Sequence, residues 1–275
     1  MIKFIGIDLD GTLLDSDKRI SDENLKAIEE AERRSINVTI FTGRSFIASK
    51  EYFEAFSSDI PGVFQNGAFI ATLKSHKILK KTTLSHKVAK RIIELSKENG
   101  LFPIVFTNFM DSPDMIYEMK WPEGSNYIPY LERNAYRMIH SPDMINCVGE
   151  EISEVSVIGA FSKIKNVEDK LDPSDHTFIL STRFSSNDEA FVEIFGPGCG
   201  KEKALKYLLD RLSISRSEAA FIGDNYNDLE ALKSVGHPIV MGNADTPDEL
   251  IRTAEFVTSS NDNNGVAKAI MKYII

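Results

Sequence analysis

The chain has 275 residues, 42% of them hydrophobic and 27% charged, enough for more than one hydrophobic core and typical of a globular protein. Its formal net charge of −9 disfavours a general nucleic-acid or anionic-membrane binder, so any attraction to an anionic substrate has to be local. Two cysteines, Cys147 and Cys199, are too few for a disulfide framework and suit small core positions in a reducing compartment; the cytoplasm is the expected location, with no obligate protein partner.

The apolar run Phe4-Ile5-Gly6-Ile7 closes on Asp8-Leu9-Asp10-Gly11-Thr12, the pattern of a buried strand that delivers carboxylates at its end. Ser21 is placed to cap a helix with Asp22 and Glu23 in the first turn and Leu25, Ile28 and Ala31 on one face. A strand over 36–41 leads to Thr42-Gly43-Arg44, a helix follows over 46–56, and Val63-Phe64 runs through Asn66-Gly67 into a hairpin bearing Ile70 and Ile78. From residue 85 the texture changes. A helical stripe of Val88, Ile92 and Leu95 ends at Asn99-Gly100, and strands are expected around 104–106, 155–158, 178–180 and 191–195. After Gly196-Pro197-Gly198 come a helix with Ala204, Leu205, Leu208, Leu209 and Leu212, and a strand over 219–222 that closes on Gly223-Asp224. A short helix with Leu229 and Leu232, a strand over 238–241 and a terminal helix over 266–275 complete the chain. The alternation predicts a parallel α/β sheet in two halves, with an α+β segment inserted between them.

Side chains two apart on an extended strand share a face, so Asp8 and Asp10 crowd one another unless a cation or a shared proton relieves them. Such a pair suits Mg²⁺ and a phosphate, with one carboxylate left to attack phosphorus; the same residues also make an ordinary strand-to-turn corner. Thr42 offers a hydroxyl and Gly43 a backbone N–H to phosphate oxygens, or the two make a plain strand-to-helix turn. Lys201 can set an ammonium against a phosphoryl oxygen, or be a solvated lysine. The segment Gly196-Pro197-Gly198-Cys199-Gly200-Lys201 is no nucleotide P-loop, since its glycine spacing is one short and Glu202 stands where Ser or Thr should follow. Asp224 and Asp228 can hold Mg²⁺ directly and through water, with Asn227 as a phosphate donor. A helix N-terminus also favours acids, which accounts for Asp228 and leaves Asp224 unexplained.

In this order, Asp8-x-Asp10-Gly11-Thr12, Thr42-Gly43-Arg44, Lys201 and Gly223-Asp224-x-x-Asn227-Asp228 resemble the haloacid dehalogenase-like superfamily, and within it the Cof-type sugar-phosphate phosphatases. Asn66-Gly67-Ala68 and Asn264-Gly265-Val266-Ala267 are similar to that subfamily too, while the middle of the chain matches only in length and position. The resemblance implies a Rossmann-like doubly wound parallel sheet core from 1–83 and 195–275, with an inserted α+β cap of the C2 type over 84–194. It implies a Mg²⁺-dependent phosphatase of small phosphorylated metabolites. Asp8 is then the nucleophile and Asp10 the acid and base. Asp8, the Asp10 carbonyl and Asp224 hold the metal, with Asp228 steadying its waters or Lys201. The Leu9 amide, Thr42, Gly43, Lys201 and Asn227 hold the phosphoryl oxygens. Arg44, Asn66 and Arg183, with Asn108, are candidates for substrate contact. A phosphomutase would share the aspartyl-phosphate, whereas a receiver-type signalling module has its phosphorylated Asp at the end of a later strand, is far shorter and lacks a cap; Asp10 beside the nucleophile favours turnover over storage. Asn225 stands where Gly is usual, a residue that tolerates left-handed backbone, and Asn263 and Asn264 replace an acidic residue and Asp. Tyr117, Trp121, Tyr127, Tyr130 and Tyr136 make the inserted segment aromatic-rich, and the five His residues show no paired ligand spacing.

Overall fold

The computed structural model describes residues 1–147, 149, 151–184 and 186–274, with the side chains of Cys147, Tyr273 and Ile274 outside the description. The core position expected for Cys147 therefore lies outside the described residues, whereas Cys199 is buried. The chain divides into two compact units, Met1–Lys80 with Gly200–Ile275, and Lys81–Cys199. These edges lie a few residues from those expected at 83/84 and 194/195, because they follow the end of a hairpin and the glycine that opens a helix.

The first unit begins with β1 (Phe4–Asp8), β2 (Asn37–Phe41), β3 (Pro61–Phe64), β4 (Phe69–Thr72) and β5 (Ile78–Lys81). The second unit carries β6 (Phe102–Thr107), β7 (Met115–Tyr117), β8 (Met138–His140), β9 (Ile152–Ala160), β10 (Thr177–Phe184) and β11 (Glu189–Phe195). The first unit then resumes with β12 (Ala219–Gly223), β13 (His237–Val240) and β14 (Phe256–Val257).

In the first unit the strands run β14-β13-β12-β1-β2-β3-β4-β5, parallel from β14 to β3 and antiparallel where β3 meets β4. Every residue of β1 is buried, as a strand covered on both faces requires, so an apolar run is broken only at its last position, Asp8. The sheet grows one way from β1 through β2 and the other way through β12. Open α/β sheets bind ligands at the carboxyl ends of their strands where the strand order reverses in this way. Phe4, Phe41, Val63 and Phe221 of the sheet pack with Ala204, Leu205, Leu208 and Leu209 of the helix Lys201–Leu212. The helix Asp22–Arg33 starts where expected, with the Ser21 hydroxyl accepting from the Asn24 amide at 3.2 Å.

The second unit is a six-stranded sheet in the order β10-β11-β9-β6-β7-β8, antiparallel except for the β7–β8 pair. The helices His86–Glu98 and Phe161–Glu168 cover one face through Val105, Val155, Val157, Val192 and Ile194. The alternate residues Ile104, Phe106, Ile158 and Phe191 pack with Tyr117, Trp121, Tyr127 and Tyr130, so four of the five aromatics build a core while Tyr136 is exposed.

The helix expected over 46–56 is a single α-turn, Phe46–Ser49, that tightens into a 3₁₀ segment, Lys50–Ala55. Packing drives the change: Phe46 lies edge-on to both Phe53 and Phe64, with ring centroids 4.9 and 5.1 Å apart. The short helices Ile128–Asn134 and Asp248–Thr253 have no counterpart in the hydrophobic pattern, being too short to express a period. Among the described residues no helix is long and apolar enough to cross a membrane.

Candidate active site

Three neighbouring strands of the first unit end on functional groups. β1 stops at Asp8, β2 is followed by Thr42-Gly43-Arg44, and β12 by Asp224. Their registers pair Asp8 with Phe41 and Ile7 with Ile222, so the ends lie side by side. Lys201 is brought to the same place from far along the chain. It occupies the first position of its helix, where the macrodipole opposes a cation, and its side chain is fully buried. Two carboxylates compensate: Nζ donates to Asp8 Oδ1 at 2.5 Å and to Asp228 Oδ1 at 2.6 Å. These ion pairs hold Lys201 firmly protonated, outweighing the burial that opposes its charge.

Asp228 serves two tasks with its two oxygens. While Oδ1 takes the ammonium, Oδ2 accepts from the amides of Asp224 and Asn225 at 3.1 and 3.3 Å, capping the 3₁₀ turn Tyr226–Asp228. Helix-end capping and the ion pair with Lys201 are therefore one arrangement. Asn225 adopts extended backbone, φ −132°, so the left-handed tolerance expected of it is not used; its side chain caps the turn.

Carboxylate oxygens of Asp8, Asp224 and Asp228 lie within 4.8 Å of one another. Burial, followed by repulsion from Asp228, raises the Asp8 carboxyl well above the ordinary range despite Lys201. Burial and Asp228 likewise push Asp224 up to about 7, although the Thr12 hydroxyl donates to its Oδ1 at 2.9 Å. Gly11 makes room for that carboxylate. It sits at φ +77°, and a Cβ there would lie 2.3 Å from Asp224 Oδ2. Three carboxylates against one ammonium leave a local deficit of positive charge, the donor set of a hard divalent cation.

Asp10 behaves differently from the strand-based expectation. The regular strand ends at Asp8, and the Asp10 carboxylate turns to Arg44, whose Nε and Nη2 each donate to it at 2.7 Å, and to Lys18 at 3.1 Å. Burial alone would raise it, but the hydrogen bonds and charge of Arg44, with Lys18, bring it below the ordinary range. The crowded partners of Asp8 are thus Asp224 and Asp228, and the Asp10 carboxylate, expected from the strand pattern to share a metal with Asp8, faces Arg44 instead.

Thr42 is buried, its hydroxyl accepting from the Arg44 amide at 3.0 Å. Asn227 donates its amide to Asn66 Oδ1 at 3.3 Å, and Leu9 is buried directly after the nucleophile candidate. Arg183 belongs to the second unit, where it pairs with Asp188 at 2.7 Å and lies over the Phe161 ring at 4.4 Å. Asn108, in the same unit, donates to the Pro113 carbonyl at 3.2 Å, a turn-forming contact. Asn264 is left-handed at φ 55° before the last helix, and Asn263 Nδ2 donates to the Ser260 hydroxyl at 2.7 Å.

Sequence reasoning missed Lys18, Tyr52 and Asn243. Tyr52 accepts from Arg44 Nη1 at 3.0 Å, backing the clamp on Asp10. Asn243 donates to the Gly11 carbonyl at 2.7 Å and accepts from the Asn261 amide at 3.0 Å, fastening the loop after β1. The turn formers Asn243 and Asn261 carried no signal beyond their residue type.

A family model described as haloacid dehalogenase-like hydrolase matches residues 5–270. The chain is 29% identical over 275 residues to the 5-amino-6-(5-phospho-D-ribitylamino)uracil phosphatase YcsE of Bacillus subtilis, covering 100% of this chain and 96% of the relative. It is 30% identical over 284 residues to YwtE of the same organism, which bears the same enzyme name, covering 97% and 96%. A structure from Bacteroides thetaiotaomicron, solved among phosphatases of the haloalkanoate enzyme superfamily, matches with TM-score 0.82 and 23% identity over 99% of this chain and 95% of that one. At that identity the structural likeness speaks for the fold.

Proposed function

The chain belongs to the haloacid dehalogenase-like hydrolase family, and from that premise we propose that it is a Mg²⁺-dependent phosphatase of small phosphorylated metabolites, sugar phosphates foremost. The observation that carries the reading is the meeting of Asp8, Asp224 and Asp228 within 4.8 Å, with the Lys201 ammonium bound to two of them. That donor set fits Mg²⁺, which takes few protein carboxylates and keeps several waters. Asp8, Asp224 and the Asp10 carbonyl would hold the ion, with Asp228 acting through water. Bound there, it would offset the repulsion between a carboxylate nucleophile and an anionic phosphate.

Asp8 attacks phosphorus in line, forming an aspartyl-phosphate as the ester P–O bond breaks. Lys201, Thr42, the Gly43 and Leu9 amides and Asn227 hold the phosphoryl oxygens through the transition state. Asp10 gives its proton to the departing alkoxide, then takes one from the water that attacks phosphorus and frees Asp8 and inorganic phosphate. Since Arg44 and Lys18 favour the ionised Asp10, that clamp has to loosen and Asp10 take up a proton from solvent before the first step. The phospho-ribityl group in the names of the relatives supports a phosphate ester on a sugar-like chain.

The test is phosphate release from a panel of phosphorylated sugars, nucleotides and cofactors, with Mg²⁺ and with a chelator, for the wild type and Asp8→Asn. Release that requires Mg²⁺ and disappears in the folded variant supports the reading. Undiminished release by Asp8→Asn removes the nucleophile, and transfer of the group to an isomeric sugar phosphate makes the enzyme a mutase.

A further inference from the structure

Two consecutive non-glycine residues at the edge of the candidate site hold left-handed backbone, Gln65 at φ 47° and Asn66 at φ 50°. Side chains resist this region, so a run of two persists only where surrounding contacts impose it. Both residues are buried, and the turn they make touches three of the segments assigned to phosphate, those of Thr42-Gly43, Asn227 and Lys201. The Asn66 amide donates to the Thr42 carbonyl at 3.0 Å, and the Gln65 amide to the Arg44 carbonyl at 2.9 Å. The Asn66 side chain lies against Gly43, where a Cβ would be 3.3 Å from its Nδ2. Its Oδ1 accepts from Asn227 Nδ2 at 3.3 Å. The next residue, Gly67, is packed so closely on Gly200, which opens the Lys201 helix, that a Cβ at Gly67 would meet the Gly200 carbonyl oxygen at 2.6 Å.

We propose that Asn66 is a positioning residue that joins the phosphate-gripping donors into one preformed cradle, an inference that rests on the phosphatase reading above. Thr42 and Gly43 follow β2 and Asn227 follows β12, two strands that are not paired with each other because β1 lies between them. Asn66 spans them: its backbone fixes the height of Thr42, and its carboxamide sets the rotation of the Asn227 amide beside Gly43. The left-handed backbone is what points the carboxamide inward. Preset donors need no reorganisation as charge builds on the phosphoryl oxygens, and misplacing them by about 1 Å lowers the rate by about 100-fold.

The test compares wild type with Asn66→Gly and Asn66→Asp, because both replacements accept left-handed backbone and remove the side chain or only its amide donor. The readouts are thermal melting, kcat and KM on an accepted phosphate ester, the Mg²⁺ concentration for half-maximal activity, and inhibition by inorganic phosphate. Asn66→Gly should melt close to wild type yet lose about 100-fold in kcat/KM and be inhibited by phosphate about 10-fold more weakly, with the Mg²⁺ requirement within about twofold. Asn66→Asp keeps an acceptor for Asn227 and should lose less in kcat than in phosphate affinity, since it adds a negative charge. An active wild type with unchanged Asn66→Gly kinetics overturns the inference and leaves the phosphatase reading standing. Failure of both variants to fold overturns it as well, by making Asn66 a determinant of the fold. A wild type that releases no phosphate from any ester defeats the phosphatase reading itself.

Discussion

Arg44 grips both carboxylate oxygens of Asp10, each at 2.7 Å, while its remaining nitrogen reaches the Tyr52 hydroxyl at 3.0 Å. The planar guanidinium matches a carboxylate edge on, a fit that a lysine ammonium cannot reproduce. The residue proposed as proton donor is thereby favoured in its ionised form, a preference that Arg44 controls.

Arg44→Ala should release that control. Asp10 titrates below the ordinary carboxylate range because Arg44 outweighs burial, so its stabilising effect is present at neutral pH and lost as pH falls through that lowered value. The variant should therefore be destabilised more at about pH 7 than at about pH 3, by about 1 kcal/mol because the Asp10 side chain is 40% exposed. Urea unfolding at the two pH values checks this, and an equal loss at both would show that the clamp is not electrostatic.

Asp228→Ala removes the second partner of a fully buried ammonium and the cap of the Tyr226–Asp228 turn together. Leaving one buried charge underpaired costs about 3–5 kcal/mol. Asp8→Asn should be far milder, because the amide oxygen still accepts from Lys201 and a carboxylate disfavoured by burial becomes neutral. Denaturant midpoints of the two variants measure the difference, and equal destabilisation would contradict it.

Metal binding should compete with protons at Asp224. Its carboxyl is raised from 3.8 to about 7, so the metal-free fold loses this group's contribution as pH rises from the unfolded value toward the folded one. Mg²⁺ reverses the balance by favouring the ionised form. The melting-temperature gain on adding Mg²⁺ should be larger at about pH 8 than at about pH 5.5, and the half-saturating concentration lower. A pH-independent gain would place the ion elsewhere.

Gly11→Ala should weaken the metal site without touching a ligand. A methyl at that position would lie 2.3 Å from Asp224 Oδ2 and displace it, and φ +77° disfavours any side chain. Mg²⁺ affinity should fall about 10- to 100-fold, as for the loss of an outer contact that orients a ligand, alongside about 1 kcal/mol of stability. Calorimetric titration reads the first and thermal melting the second.

Much of the fold was written locally. The run before Asp8 is apolar because β1 is covered on both faces, and Ser21 starts its helix because a hydroxyl there meets an open amide. Motif chemistry at the strand ends was legible for the same reason, since each group follows its own strand directly. Where local pattern ran out, as in the 3₁₀ segment Lys50–Ala55, aromatic packing between remote residues chose the geometry.

Residue type, spacing and the resemblance they carry to a known family pointed to Asp8, Asp10, Thr42, Lys201, Asp224 and Asn227 as a group with one expected task. Tertiary structure decided how they divide it: that Lys201 bridges Asp8 and Asp228 across 193 and 27 residues of chain, that Asp10 faces Arg44 rather than Asp8, and that a left-handed turn at Asn66 reaches Asn227. Contacts between remote segments leave no periodicity in a sequence, and the direction a side chain takes after a strand ends is set by the partner waiting there.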